Sequence, residues 1–439
     1  MLKELSPQQY QFETITLDEL VPEDHLVRKI DAAIDFEFIR DSVKHLYCPD
    51  NGRPAIDPVR LIKMMLLGYL FGIPSERRLV KEIQVNVAYR WFLRMGLTEK
   101  VPDASTLSQN RIRRFNDSDV FQQIFDHIVT QALSGGMANG RVLYTDSTHL
   151  KASANPRKAV NEQRPEGVSA YLDELNAAVE ADRKLHEKKP LPAERKNPAV
   201  KNTKVSTTDP ESGFMHRDNK PKGFFFLDHR TVDGKHGIIM DTHVTPGNVH
   251  DSQPFIGRLE RQIKRFGLEP VAVGVDAGYF TSAVCHLTQE RGISLVPGYR
   301  RPHKGQNDFR KKHFRYDEQR DVYVCPAEAL LIYSTTDRNG YRHYRSEAAV
   351  CQGCERRHQC TQNRKAQKTI TRHVWEASKE EANRLRLTKW GKKIYARRKE
   401  TVERSFADAK QHHGHRYARF RGLSKVQMQC LLAATAQNM

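Results

Sequence analysis

Apolar positions in the first third of the chain recur at helical spacing. Leu26 to Phe38 alternates apolar and charged residues in that rhythm. Asp57-Pro58 sets a capping acid ahead of a first-turn proline, and the apolar run Val59 to Phe71 reads as a buried helix. Pro74-Ser75-Glu76 restarts the chain into a helix over Arg77 to Val87. After Pro102, Asp103 or Ser105 can cap a helix carrying Arg111, Arg113 and Arg114. Short helices joined by tight turns, the last rich in Arg, suit a helix-turn-helix-like DNA reader. An ordinary helical domain with a solvated basic face fits the same pattern.

The period changes after the small-residue break at Gly135 to Gly140. Val142-Leu143-Tyr144 is a short buried strand leading into Asp146. Residues 157–205 are charged, with a helical stretch near Tyr171 to Leu185, and read as an inserted arm. Strands resume at Phe224 to Leu227 and Gly237 to Met240, and a helix fits Pro254 to Phe266. The strand Val271 to Val275 ends on Asp276, followed by a helix over Ser282 to Arg291 and a strand over Ile293 to Pro297. This order predicts an α/β layer on a mixed sheet. Arg300 to Glu380 interrupts it with short strands such as Val322 to Val324 and Leu331 to Tyr333. A long charged helix over Lys389 to Lys410 and an apolar helix around Leu431 to Ala434 complete the chain.

Charge sharpens this outline. The 439 residues carry 72 Lys and Arg against 53 Asp and Glu, a formal net charge of +19, with a pI near 9.6. Such an excess points to a polyanionic partner. It is uneven: residues 1–50 hold five Lys/Arg and eleven Asp/Glu, whereas residues 381–439 hold fourteen and four. The longest apolar run, Met64 to Ile73, is shorter than the ~20 residues of a spanning helix, and the first residues lack the pattern of a signal peptide. Together with an odd cysteine count of seven, this predicts a reducing, cytoplasmic location and no membrane partner.

Three acids stand where chemistry could use them. Asp146 and Asp276 each follow an apolar strand, and strand-end carboxylates in an α/β sheet can converge on magnesium. A third lies in the late helix, where Val402, Phe406 and Ala409 form a buried stripe, Glu403 lies beside it and Lys410 two turns on. Taken alone, Glu403 is equally one member of a solvated charge run. Separately, Cys351-x-x-Cys354 has the gap of a zinc knuckle. Cys360 follows, and Cys325 after a strand can complete a four-thiolate structural zinc site; His358 is the alternative ligand. Arg300, Arg301, Lys304 and Arg310 precede this segment, and Arg416, Arg419 and Arg421 follow Glu403 with Tyr417 and Phe420 interleaved, suiting phosphate contacts and base stacking. Arg398 and Arg404 flank Glu403. His412, His413 and His415 read as DNA-contacting or solvent-facing.

These pieces in order resemble the DDE transposases of bacterial insertion sequences. The matching stretches are Tyr144-Thr145-Asp146-Ser147-Thr148, Asn248-Val249-His250-Asp251, Val275-Asp276-Ala277-Gly278-Tyr279, and Thr401 to Lys410 with Glu403 and Lys410; Gly52-Arg53-Pro54 before an apolar helix also fits. The resemblance implies an RNase H-like catalytic domain with a site of Asp146, Asp276, Glu403 and Lys410, holding two magnesium or manganese ions. The family pattern places a Tyr and an Arg seven and four residues before the Glu. Those positions here are Ala396 and Lys399, with Tyr395 and Arg398 one place early. A one-residue shift is a rotation of about 100° on a helix, so the family's Tyr and Arg roles stay open for Tyr395 and Arg398. Arg398 is assigned to DNA contact, and Glu403 is favoured over its minor rival Glu400.

The domains implied are an all-α DNA-binding domain over 1–138, a catalytic core over 139–300 with its arm at 157–205, a zinc-binding β insertion over 301–380, and core helices over 381–439. The implied activity is cleavage at element ends and strand transfer to a target. The implied partners are double-stranded DNA with terminal inverted repeats, target DNA and a second copy of the chain, at the bacterial nucleoid. A non-catalytic DNA-binding derivative and a metal-dependent nuclease are the alternatives. The chain stops at Gln437-Asn438-Met439 inside an apolar helix, where the resembled family usually continues, so a truncated copy is an expectation.

Overall fold

The computed structural model describes residues 14–48, 55–116, 118–165, 171–192, 200–216, 222–299 and 309–439. The Gly52-Arg53-Pro54 motif and Arg300, Arg301 and Lys304 lie outside them. The architecture is mixed α/β, with a helical N-terminal region and a six-stranded mixed sheet.

The sheet is built from β1 (Val142–Lys151), β4 (Gly213–Met215), β5 (Gly223–Asp233), β6 (Ile239–Pro246), β7 (Ala272–Val275) and β8 (Ser294–Pro297). The arm between β1 and β4 supplies a separate hairpin of β2 (Ala159–Pro165) and β3 (Val200–Ser206). In the main sheet β6 and β4 both pair with β5, and the order then runs β5-β1-β7-β8. The pairs involving β5 are antiparallel; β1 with β7 and β7 with β8 are parallel. Every residue of β5 is buried, which explains its continuous Phe224 to Leu227 run. Tyr144 pairs with Gly274, and a Cβ on Gly274 would come within 2.8 Å of the Tyr144 ring. The glycine in an otherwise apolar strand makes room for that ring.

The C-terminal helix, Leu423–Asn438, has almost no apolar stripe because it is buried nearly all round. It packs on β6 and on the helices Pro58–Leu70 and Val120–Ser134. One hydrophobic core therefore runs from the N-terminal helices through the sheet. Leu432, 2% exposed, sits within it; truncating such a side chain to Ala costs about 2–5 kcal/mol.

A second sheet has the order β13-β12-β11-β10-β9. Its strands are β9 (Arg315–Asp317), β10 (Val322–Val324), β11 (Leu330–Thr336), β12 (Tyr341–Ser346) and β13 (Thr369–His373), around a small core of Phe314, Tyr323, Leu331, Tyr344 and Ile370. The arm's helix, Leu172–Leu185, docks on it: Thr336 Oγ1 donates to Asp182 Oδ2 at 2.6 Å, and Arg342 pairs with Asp182 at 2.5 Å.

Two expectations need correction. β1 does not stop before Asp146; antiparallel pairing with β5 carries it on to Lys151. The stretch from Lys389 to Lys410 is not one helix. Lys389–Ala396 ends in a 3-10 turn, Arg397–Lys399, and a new helix, Val402–His412, starts after Thr401, whose backbone is at φ −113° and ψ −98°. The Thr401 hydroxyl donates to the Arg397 carbonyl at 2.8 Å, taking over part of the interrupted ladder.

Candidate active site and cysteine cluster

The parallel ladder of β1 and β7 ends at the pair Thr145–Val275. Asp146 and Asp276 are the next residues on each strand; Asp146 stays within β1 through its pairing with β5, while Asp276 follows the end of β7, so the two carboxylates start from adjacent positions. Glu403 comes from the first turn of the helix Val402–His412, which lies against β1 and β5. The helix break decides what joins them. It adds the rotation that the one-residue offset lacks and turns Arg398 inward, where it is 3% exposed. Arg398 Nη2 donates to Asp146 Oδ2 at 2.5 Å, and its Nη1 lies 3.9 Å from Asp276 Oδ1 and 3.8 Å from Glu403 Oε1. Tyr395 faces the same sheet end: a Cβ on Gly298 would come within 2.7 Å of its hydroxyl. Arg398 therefore meets the acids despite its one-residue offset, while Tyr395 stays 37% exposed. Glu400 is exposed and is not among the carboxylates that Arg398 meets.

Burial pushes the Asp146 carboxyl up to about 6, against the pull of Arg398 and of the Ser147 N–H, with Asp276 and Asp251 adding to the rise. Burial also disfavours the Arg398 charge, but Asp146, Tyr395, Asp276 and Glu403 more than offset it, and its pKa stands above the ordinary value. The three carboxylates surround a guanidinium and do not close on one point. Among the described residues, no three ligand oxygens of this trio lie within 4.8 Å of one another. A cation already stands in the centre, so the donor set fits positive charge, and three acids against one Arg leave negative charge for a divalent ion. Lys410 is half-buried, near enough to His415 to affect its titration.

Behind Glu403 lies a buried network that the sequence reading missed. Arg230, fully buried on β5, donates to Asp228 Oδ2 at 2.8 Å, to Gln437 Oε1 at 2.6 Å and to Ser405 Oγ at 3.2 Å, and lies over the Phe406 ring. His415 is also fully buried and bonded to Asp228 at 2.8 Å, which corrects its surface assignment. Asp228, His415 and Cys430 form a compact donor group, but Arg230 already neutralises Asp228 there. The available signal was Asp228-His229-Arg230 in the middle of an apolar strand.

The four late cysteines meet around one cavity of about 400 Å³, lined by Cys325, Cys351, Cys354 and Cys360. All are free thiols. The Ala327 N–H donates to Cys325 Sγ at 3.3 Å. Burial raises the Cys360 thiol, and its three neighbours add to the rise, so a cation there would favour the thiolates. The donor set fits structural zinc, although no three sulfurs lie within 4.8 Å of one another.

Comparison with known families bears on both sites. Residues 15–113 match a family model described as "Transposase domain (DUF772)", and residues 324–439 match one described as "Transposase DDE domain". Two stretches of the chain are thus similar to transposase domains. The second match includes Glu403, Lys410 and the clustered cysteines; Asp146 and Asp276 lie outside both. No curated protein sequence matches the chain. Among solved structures, it is similar to the Mos1 transposase paired-end complex with left transposon end, at 13% identity and a TM-score of 0.18, over 57% of this chain and 62% of that one. It is also similar to the piggyBac transposase synaptic complex with hairpin DNA, at 11% identity and a TM-score of 0.33, over 92% and 73%. This chain thus spans less than two thirds of the Mos1 chain's length. Likeness at that level carries no residue's role across.

The basic residues of the chain divide by burial. Arg111 is 6% exposed, paired with Glu76 and stacked over Phe420 at 4.1 Å. It is an interior strut between the helical region and the C-terminal segment, which corrects its assignment to the DNA-facing surface. Arg113 is exposed; Arg114 is half-buried over Tyr47. Arg404, Arg416 and Arg421 are exposed. Arg419 stacks on Tyr69 at 4.4 Å, while Tyr417 is 60% exposed beside it. No helix among the described residues is long and apolar enough to cross a membrane.

Proposed function

We propose that this chain catalyses DNA transposition, cutting at the ends of a mobile element and joining the 3′-hydroxyls to target DNA by transesterification. The observation that carries this reading is the meeting of Asp146, Asp276 and Glu403 around Arg398 at one end of the sheet, in a chain with two transposase family matches. The strand order β6-β5-β1-β7-β8, antiparallel then parallel, supports an RNase H-like core.

Asp146, Asp276 and Glu403 would hold divalent cations. Bound there, a pair of such ions activates water or a 3′-hydroxyl and stabilises the leaving oxygen. The chain's own residues prepare the setting. Burial of Asp146 lowers the local dielectric, so charges at this centre act strongly. Arg398 offsets part of the acids' charge, and Lys410 provides a second cation two turns beyond Glu403. Exposed Arg404, Arg416 and Arg421, with Tyr417, offer phosphate contacts and stacking beside the centre.

The proposed organisation keeps a helical DNA-binding region over 1–138, catalytic segments over 139–300 and 381–439, and a zinc-held insertion over 301–380. The partners are element ends, target DNA and a second copy of the chain. Incubating the protein with a labelled element end, supercoiled target and manganese tests the reading. Joined product supports it. Cleavage without joining points to a nuclease, and binding without either points to a DNA-binding derivative.

A further inference from the structure

We propose that Asp251 is a fourth carboxylate of the acidic centre, a positioning residue that holds Asp146 through Ser147 and strengthens divalent-cation binding there. The inference rests on the transposase reading but on different observations.

Asp251 lies in the turn after β6. The Ser147 hydroxyl donates to Asp251 Oδ1 at 2.7 Å, while the Ser147 backbone N–H donates to Asp146 Oδ1 at 2.8 Å. One β1 residue thus ties both acids. Asp251 also borders the turn that carries Asp276: a Cβ on Gly278 would stand 4.0 Å from Asp251 Oδ2. The β6 loop therefore reaches both the part of β1 that carries Asp146 and the turn that carries Asp276.

Two fully buried polar atoms point to a further occupant. His229 Nδ1 has no hydrogen-bond partner among the described residues and lies 4.0 Å from Asp251 Oδ1. That is too long for a direct bond, a separation at which a water is to be considered. The Tyr279 hydroxyl also lacks a partner among the described residues and lies in the field of Asp251, Asp146 and Arg398. Buried polar atoms are nearly always satisfied by protein, water or an ion.

Charge completes the case. Asp251 forms no Lys or Arg ion pair within 4.0 Å among the described residues. Burial, with Arg258 and His243 nearby, holds His229 well below its usual range and leaves it neutral. The Asp251 charge is therefore available to a cation held by its neighbours. Its waters would be the natural partners of His229 Nδ1 and the Tyr279 hydroxyl.

The test is manganese affinity, read by the EPR signal of free Mn²⁺ during titration of the full chain. Asp251→Asn keeps an acceptor for Ser147 and removes the charge; the expected loss is about 10–100-fold in affinity. Ser147→Ala keeps the charge and cuts the tie; a smaller loss, still above twofold, is expected. Both affinities within twofold of the unsubstituted protein overturn the inference. Should Asp251→Asn not fold, Ser147→Ala decides alone by the same threshold. Asp276→Asn runs alongside. If it abolishes binding while the other two are silent, only the role of Asp251 falls; if it too is silent, the metal reading falls and this inference with it.

Discussion

Arg398 donates to Asp146 across 252 residues of sequence, at 2.5 Å, and is the cation around which the three acids gather. Replacing it by Met leaves Asp146 buried without its partner. Removing one member of a buried pair costs about 3–5 kcal/mol where the other stays charged. Asp146 can escape part of that cost by protonating. Arg398→Met should therefore lower metal-free stability more at pH 7.5 than at pH 5. Urea denaturation at both pH values checks this; equal losses would mean the pair is not coupled to Asp146 ionisation.

The same group sets a pH dependence for metal binding. The folded pKa of Asp146, about 6, stands above its ordinary 3.8. Its contribution to folding is fully present below about 3.8 and is lost as pH rises through about 6. Above that, an ionised buried carboxylate is a cost that a bound cation relieves. The rise in melting temperature on adding manganese should thus be larger at pH 7.5 than at pH 5.5. Thermal shift at fixed ionic strength measures it, and a pH-independent rise counts against Asp146 as a ligand.

For the cysteine cluster, purified protein should contain one zinc per chain by elemental analysis. Cys354→Ser should lose it and loosen the sheet of β9 to β13, seen as faster hydrogen exchange there. Among the described residues that sheet has a core of five packed side chains, so a metal crosslink would supply much of its rigidity. Full-length protein without zinc, and unchanged exchange in the variant, would remove the site.

Arg230→Met should destabilise the fold by about 3–5 kcal/mol, because it strands Asp228 in the core. Adding Asp228→Asn should recover part of that loss. Chemical denaturation of the single and double variants tests the coupling; additive losses would show that the two residues do not act as a pair.

Much of the frame was legible because buried strands and helices announce themselves as apolar runs. Val142 to Tyr144 and Val271 to Val275 marked the two parallel strands that lead to Asp146 and Asp276, and Asp57-Pro58 marked a helix start. The break at Arg397 to Thr401 was not legible: the residues around it are mostly good helix formers, and Thr401 takes its conformation from packing. Arg111 reads as surface charge from sequence, and Arg230 carries no assignment there. Their burial depends on Glu76, Phe420 and Asp228, partners that only the fold supplies. Ser147 and Asp251 are 104 residues apart, and no local pattern links them.

The central claim concerns which acids make up the site. Strand transfer by Asp146→Asn, Asp276→Asn, Glu403→Gln and Glu400→Gln, each shown folded by circular dichroism, tests it most directly. The expected result is loss of joining by at least about 10²-fold in the first three and near-normal joining in Glu400→Gln. Full activity in Glu403→Gln, or a loss confined to Glu400→Gln, would contradict it.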